Sequence, residues 1–146
     1  MQRYFTLAEA EKMLPRVEEQ LRKALHLKHE HEKTEEELQG MLHKVTIAGG
    51  MIVDRERLLA LRARRDATAM RLKEVIDETQ DWGVQIKDLD IGLIDFPTLF
   101  RGEEVLLCWK LGEDRIRFWH GLTEGFRGRK AIDDDFLANH RGEPAA

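Results

Sequence analysis

Four side chains in the C-terminal half of the sequence could bind a metal ion: Asp95, Cys108, Glu113 and His120. Thiolate, imidazole and carboxylate groups are the usual ligands of protein-bound zinc and iron. Cys108 and His120 could also act as a nucleophile and its base. Both chemistries require the cysteine and the histidine to lie on one face of a β-sheet, so they depend on the register of the hairpin between them.

Two registers are open for this hairpin. The first has a four-residue loop closed by Leu111 and Ile116. It places Leu107 opposite His120, and Cys108 then lies on the other face of the sheet. The second has a three-residue loop that brings Cys108 and His120 to one face, but it leaves a less apolar core face. We therefore predict the first register, in which Cys108 is a packed thiol that shares neither a metal ion nor a catalytic pair with His120.

Aromatic and basic residues of the same region could instead line a ligand pocket. The candidate ligand-binding residues are Asp95, Trp109, Trp119, His120, Arg127 and Arg129. The two arginines lie in a glycine-containing loop and could bind an anionic group. The favoured alternative is structural: the tryptophans pack the sheet against helices, and an arginine stacks on an aromatic ring.

A histidine-rich stretch in the N-terminal half offers a weaker metal site. His26, His29 and Glu30 share one face of a predicted helix, which would allow a transition metal to bind at the surface. The favoured alternative is a solvated face on which His26 pairs with Glu30. His31 could face a partner helix.

The charge of the chain argues against nucleic-acid binding. The sequence has 24 basic and 28 acidic side chains and a net charge of −4, whereas non-specific nucleic-acid binders carry a basic excess. Charged residues make up 36% of the chain, above the roughly 25% of average domains, which indicates long solvated helices. We predict that no nucleic acid is a partner.

Cysteine usage and hydropathy indicate the compartment. Cys108 is the single cysteine, so no intrachain disulfide can form, and a reducing compartment is favoured. The N-terminus lacks the apolar core of a signal peptide, and no apolar run approaches the roughly 18 residues needed to span a bilayer. We expect a cytoplasmic protein with no membrane partner.

The first 82 residues predict a coiled-coil-like antiparallel helical hairpin. Thr6 and Glu9 form a capping box, Pro15 should kink or restart the helix, and Asp54 can cap a second helix that ends near Gly83. The break between the helices is predicted at Ala48-Gly49-Gly50. A heptad seam places Leu14, Leu21, Lys28, Glu35 and Leu42 at one core position, and Val17, Ala24, His31, Leu38 and Val45 at the other.

The remaining sequence predicts an α+β protein, with a small antiparallel β-meander over residues 83–132. Short apolar or alternating runs predict strands at 84–87, 91–96, 105–109 and 116–119, the second of them ended by Pro97. Residues 133–146 are predicted to form a polar, frayed C-terminal tail.

Several short motifs are shared with a known family. They are Gly92-Leu93-Ile94-Asp95-Phe96-Pro97, Leu107-Cys108-Trp109 with Gly112-Glu113, Trp119-His120, and Gly125-Phe126 with Arg129, after an opening of Phe5-Thr6-Leu7, Glu9-Ala10 and Leu14-Pro15. In these motifs the chain resembles the uncharacterised bacterial family known as domain of unknown function 2203. The resemblance covers most of the chain and implies no activity, cofactor or partner.

Two classes of function remain open. The first is a non-enzymatic interaction or scaffold protein that self-associates through its hairpin, as a dimer with a four-helix bundle, and that could also bind a protein partner. The second is a small-molecule, anion or metal-binding protein, or an enzyme, with its site in the C-terminal β unit. The sequence shows no phosphate loop and no strong metal signature, which favours the first class, with no catalytic residue and no cofactor predicted.

Overall fold

The computed structural model describes residues 2–47, without the side chains of 45–47, and residues 54–143. The predicted helix break at Ala48-Gly49-Gly50 and the side chain of Val45 lie outside the described residues. The α+β prediction is confirmed: two long helices pack antiparallel and are followed by an antiparallel sheet. No described helix combines the length and the apolar character that a membrane crossing requires.

The two long helices begin and end where local sequence signals place them. Helix α1 spans Leu7–Ile47, and its capping box is formed: the amide of Glu9 donates to Thr6 Oγ1, and the amide of Thr6 donates to Glu9 Oε1, both at 3.1 Å. Helix α2 spans Arg55–Asp81, and Asp54 Oδ1 accepts a hydrogen bond from the amide of Arg57 at its start. Of the two outcomes expected at Pro15, a kink or a restart, the restart is not seen, because α1 continues through this residue.

Six strands form one antiparallel sheet, whereas the sequence predicted a meander of three or four. They are β1 (Gln85–Asp88), β2 (Leu93–Phe100), β3 (Glu103–Lys110), β4 (Phe118–Gly121), β5 (Lys130–Ala131) and β6 (His140–Arg141). The first five lie in chain order, and β6 pairs with β2. A short 3-10 helix over Phe126–Gly128 follows β4, and helix α3 covers Asp134–Asn139.

Strand β2 does not end at Pro97, as the sequence suggested, but runs on to Phe100. Proline cannot donate a backbone hydrogen bond, so it fits a strand only where no neighbouring strand needs that donor. On this edge of β2, β1 pairs with residues 93–95 and β6 with residues 99–100. Pro97 lies between them, and its carbonyl accepts a hydrogen bond from the amide of Phe5 at 2.7 Å.

The prediction of a frayed C-terminal tail is wrong for residues 134–141. Asp133 caps α3 by accepting a hydrogen bond from the amide of Phe136 at 2.8 Å, and Phe136 is buried. Its ring stacks on those of Phe100 and Trp119. An aromatic anchor, a helix cap and the pairing of β6 with β2 hold this polar segment, and composition alone does not reveal them.

The chain forms two compact units. The sheet unit comprises Met1–Leu21 and Ile76–Ala146, and the hairpin unit comprises Arg22–Val75. In the sheet unit, apolar side chains from the start of α1 pack on one face of the sheet. They include Leu14, Val17 and Leu21 from the helix and Ile94, Phe96, Leu107 and Trp109 from the strands.

Between α1 and α2, the hairpin unit buries a seam that is narrower than the core of the sheet unit. Leu27, Thr34, Leu38 and Leu61 are buried, whereas Lys28 and Glu35 at the predicted heptad positions are only half-buried. The seam therefore shifts by one residue in its middle, where a leucine and a threonine replace the two charged side chains in the interior. Glu35 instead forms an ion pair with α2, its Oε2 lying 3.8 Å from Arg65 Nη1.

Candidate metal centre

The register between β3 and β4 differs from the predicted one. Leu106 lies opposite His120, and Cys108 lies opposite Phe118. The preferred four-residue loop is therefore wrong, and the strands adopt the alternative register that had been set aside. Because residues two apart on a strand share a face, Cys108 and His120 lie on the same side of the sheet.

The connection between β3 and β4 explains why the prediction failed. Ile116 does not enter β4 but is buried in the core of the sheet unit, and residues 111–117 form the loop. Glu113 holds this loop: its Oε1 accepts a hydrogen bond from the amide of Lys110 at 2.6 Å, and its carbonyl oxygen accepts one from Trp109 Nε1 at 3.1 Å. A loop anchored by side chains does not follow the rules for short hairpins.

Strand β2 completes the arrangement, because Asp95 lies directly opposite Cys108. Asp95, Cys108 and His120 thus come from three adjacent strands and meet on the sheet face opposite the helix-packed core. Their exposed fractions are 1%, 0% and 2%, respectively. One ligand atom from each of the three lies within 4.8 Å of the others. Among the described residues, this is the one group of three or more histidine, cysteine or acidic side chains with such spacing.

The two ring nitrogens of His120 have different partners. Nδ1 lies 2.8 Å from the carbonyl oxygen of Gly121, which can only accept, so Nδ1 carries a proton. Nε2 lies 3.1 Å from Asp95 Oδ1. If the ring were neutral and Asp95 ionised, His120 Nε2 and Asp95 Oδ1 would both be acceptors. One further proton must therefore be bound between Asp95 and His120.

Burial dominates the protonation of the other two groups. Burial, and after it the negative charge of Asp95, raises the pKa of Cys108 to about 12. The thiol therefore stays protonated and hydrogen-bonds to Asp95. Burial also raises the pKa of Asp95, while His120 opposes that shift. A thiol with a raised pKa and no exposure is a poor nucleophile, so the geometry does not support a Cys108–His120 catalytic pair.

The spacing of the three ligand atoms fits a metal ion more closely. Ligand atoms around a tetrahedral Zn²⁺ at usual bond lengths lie about 3.3–3.8 Å apart. The present group, with all separations within 4.8 Å, would need to contract by only about 1 Å. A histidine that donates Nδ1–H to a backbone carbonyl while Nε2 faces the site also has the orientation that metal-binding histidines usually have.

Glu113 and Arg129 lie next to this group but bind each other. Arg129 Nη2 lies 2.6 Å from Glu113 Oε1 and 3.4 Å from the carbonyl oxygen of Cys108. Its guanidinium group lies over the rings of Phe118 and Phe126, at 4.2 and 4.7 Å from their centroids. Its Nε is buried and has no hydrogen-bond partner among the described residues. The sequence led us to expect an arginine stacked on an aromatic ring, and in the structure this arginine is Arg129 and the rings are those of Phe118 and Phe126.

The other candidate ligand-binding residues do not join one pocket. Trp109 is paired with Ile94 and lies in the core, on the face opposite Asp95. Trp119 adjoins His120 in β4 and therefore faces away from it, stacking on Phe136. Arg127 is exposed in the 3-10 helix. The two tryptophans of the predicted pocket therefore lie on one face of the sheet, and Asp95 and His120 lie on the other.

The histidine-rich stretch of α1 lies in the hairpin unit. His29 is exposed, while His26 and Glu30 line a surface groove whose other residues include Arg64 and Arg71. These three residues are not gathered into a close ligand group. Two arginines in the same groove would also oppose a cation.

Comparison with known proteins concerns the family alone. The model of a family described as "Uncharacterized conserved protein (DUF2203)" matches residues 3–132. The chain belongs to this family. The matched range contains Asp95, Cys108 and His120 as well as both long helices. Searches of curated proteins and of solved structures gave no match for this DUF2203 member.

Proposed function

We propose that this DUF2203 protein binds a divalent transition-metal ion, best fitted by Zn²⁺, through Asp95, Cys108 and His120. The observation that carries the proposal is the meeting of these three side chains on one buried sheet face, with ligand atoms within 4.8 Å of one another. Carboxylate, thiolate and imidazole together match the ligand preferences of zinc.

Charge balance selects a divalent ion. Without metal, the group holds a protonated Cys108 and one proton between Asp95 and His120, so its net charge is zero. Loss of these two protons on binding M²⁺ leaves the net charge unchanged. Burying an uncompensated charge is strongly unfavourable, so a neutral exchange fits a site with almost no solvent exposure.

A reducing compartment agrees with this use of Cys108. The cysteine is buried and unpaired, and a thiolate ligand must remain reduced to bind metal. We therefore propose that the protein acts in the cytoplasm.

The test is metal titration of the full chain after chelator treatment, with Co²⁺ as a spectroscopic substitute for zinc. We expect one ion per chain and a thiolate-to-cobalt charge-transfer band. Cys108→Ser should abolish that band. Asp95→Asn and His120→Ala should weaken binding by about 100-fold or more, since each removes a direct ligand.

The matched control is His29→Ala, which removes an exposed histidine from the histidine-rich stretch of α1. It should leave affinity and the charge-transfer band unchanged. Absence of stoichiometric binding in a folded chain, or loss of binding in the His29 variant, would contradict the proposal and leave the three residues as a hydrogen-bonded network.

As a second function, we propose self-association through the helical hairpin. Part of the predicted seam is already covered within the chain, because Leu14, Val17 and Leu21 pack in the core of the sheet unit. The hairpin unit, however, leaves apolar side chains on α2 uncovered: Leu59 is 52% and Met70 is 65% exposed. A concentration-dependent increase in mass by analytical ultracentrifugation would support dimer formation.

A further inference from the structure

The three side chains of the candidate metal centre have almost no contact with solvent. Asp95, Cys108 and His120 are each at most 2% exposed. Strand β3, which carries Cys108, is hydrogen-bonded to a neighbouring strand on each side, and the opposite face of the sheet packs in the core. An ion can therefore reach the three ligands only if part of the cover on their own face moves.

The part of this cover next to Cys108 is the connection between β4 and β5, residues 122–129, here called the lid. Phe118 pairs with Cys108 across β3 and β4, so both side chains lie on the same face of the sheet. The guanidinium group of Arg129 lies over the ring of Phe118 and over that of Phe126 within the lid. The lid is thus in contact with the sheet face that carries the three ligands.

Glu124 holds the two ends of the lid together. Its Oε1 accepts a hydrogen bond from the amide of Gly121 at 2.8 Å, at the end of β4, and lies 2.7 Å from Lys130 Nζ at the start of β5. A Cβ added to Gly128 would lie 2.5 Å from that of Glu124, so this side chain also packs against the returning chain. A compact loop that is closed by its own side chains can move as a unit.

The lid is tied to β3 and to the loop after it through two of its side chains. Arg129 Nη2 lies 2.6 Å from Glu113 Oε1 and 3.4 Å from the carbonyl oxygen of Cys108. The ring of Phe126 lies 5.6 Å from Lys110 Nζ. Residues 122–127 are all exposed, and the 3-10 helix of the lid buries no side chain. A segment with so little buried surface opens at a small cost in free energy.

Arg129 carries one interaction that favours opening of the lid. Its Nε is buried and has no hydrogen-bond partner within the part of the chain that the structure describes. A buried donor without an acceptor is unfavourable, and opening would let water bind to it. The ion pair with Glu113 therefore holds the lid closed, while the unpaired Nε opposes closure.

We propose that the lid opens to admit a metal ion to Asp95, Cys108 and His120, and that Arg129 is the latch that holds it closed. The proposal rests on the metal binding proposed above and adds the route to the site. Arg129 is a positioning residue that acts through the lid and does not bind the ion. Because opening also exposes Cys108, it can be measured with no metal present.

The test is the rate at which iodoacetamide labels Cys108 in the metal-free full chain. Arg129→Ala removes the latch, and Phe126→Ala removes the ring that lies under it. Each variant should be labelled about tenfold faster than the unaltered chain, since each loses a contact that favours the closed lid. The positive charge of Arg129 lowers the pKa of Cys108, so loss of the charge alone would slow labelling. Faster labelling of Arg129→Ala therefore reports access to the thiol.

The matched control is Arg117→Ala, which removes an exposed arginine that pairs with Asp114 in the loop between β3 and β4. It should be labelled as slowly as the unaltered chain. Low concentrations of urea separate lid opening from unfolding, because a local opening exposes little surface and is insensitive to urea, whereas global unfolding is not. Co²⁺ should also bind to and leave Arg129→Ala faster than the unaltered chain, with a smaller change in affinity.

The outcomes distinguish the lid from the metal site. Equal labelling rates in the unaltered chain and both lid variants, or rates that rise with urea as unfolding does, would overturn the lid. Stoichiometric Co²⁺ binding at the same rates in all variants would also overturn it and would leave the metal site standing. Faster labelling of folded lid variants in a chain that binds no Co²⁺ would support the lid and overturn the metal site.

Discussion

His120 and His140 show how the same side chain serves two purposes in one sheet unit. Both rings place Nδ1 at a backbone carbonyl oxygen, that of Gly121 for His120 and that of Leu137 for His140. His140 Nε2 then accepts a hydrogen bond from the amide of Leu7, which satisfies a neutral ring. His120 Nε2 faces the carboxyl group of Asp95 instead, and this contact needs an added proton or a cation. The difference singles out His120 as the ligand.

The protons of this group predict how metal affinity depends on pH. Cys108 must lose its thiol proton, and the Asp95–His120 pair must lose its shared proton, before all three bind an ion. Around neutral pH we expect about two protons released per ion and affinity that rises about 100-fold per pH unit. Calorimetric titrations in buffers of different ionisation enthalpy measure the proton number. A value near zero would contradict the assignment of ligands.

Cys108 also predicts alkaline destabilisation of the metal-free chain. Its pKa is raised in the folded state from 9.0 to about 12, so between these values the folded chain binds more protons than the unfolded one. The free energy of unfolding should therefore fall with rising pH, by about 1.4 kcal/mol per pH unit from this group. Below the unfolded pKa, its contribution is fully present.

Urea unfolding at about pH 8 and about pH 10 tests this expectation when the unaltered chain is compared with Cys108→Ala. The unaltered chain should lose about 1.4 kcal/mol more than the variant, because lysines and the tyrosine titrate alike in both. An equal loss in the two proteins would show that the Cys108 thiol ionises as easily in the fold as in water.

At the scale of elements, the β2–β3 hairpin shows what turn chemistry contributes. Phe100 pairs with Glu103, so the turn consists of Arg101 and Gly102, both with positive φ (52° and 83°). Positive φ at both central residues is typical of the tight turns that match strand twist. Arg101 is an unusual residue for such a turn, so the sequence pattern alone does not mark residues 101–102 as a hairpin turn.

Two glycines with positive φ predict different effects of the same substitution. Gly102→Ala places its new Cβ in open space, so only backbone strain of about 1–2 kcal/mol is expected. Gly92→Ala would place a Cβ 2.4 Å from that of Leu111, and the clash should add about 1–3 kcal/mol. Urea unfolding of the two variants measures the difference. Equal destabilisation would mean that the loop after β3 moves freely away from Gly92.

Element identity was predictable from the sequence, whereas the site depended on register. The Thr6–Glu9 capping box and the Asp54 cap are local signals, and both were confirmed. The residues of the metal group were named from their chemistry, but their separation was predicted from an idealised loop. The actual loop is held locally by Glu113 and, at a distance in the chain, by burial of Ile116, whose amide donates a hydrogen bond to Glu11 of α1.

At the scale of the whole molecule, α1 takes part in two different cores. Its residues from Ala10 to Leu21 pack on the sheet, and its middle packs on α2 within the hairpin unit. A heptad pattern does not distinguish a sheet from a helix as the partner, because both accept one apolar stripe. The sequence therefore predicted one continuous helical seam where the structure has two compact units.

This division predicts that metal binding and dimerisation can be separated by removing residues 22–75. Gln20 Nε2 donates to Thr79 Oγ1 at 3.3 Å, so α1 and α2 are direct neighbours where the sheet unit ends. A loop of about four residues can connect antiparallel helices.

The shortened chain, with Leu21 joined to Ile76 by such a loop, should stay folded and bind one Co²⁺ with the same charge-transfer band. It should remain monomeric at concentrations where the full chain dimerises, because Leu59 and Met70, the exposed apolar side chains of α2, are removed. A folded shortened chain that still dimerises would place the interface in the sheet unit, and one that fails to bind metal would show that the ion needs ligands from the hairpin unit.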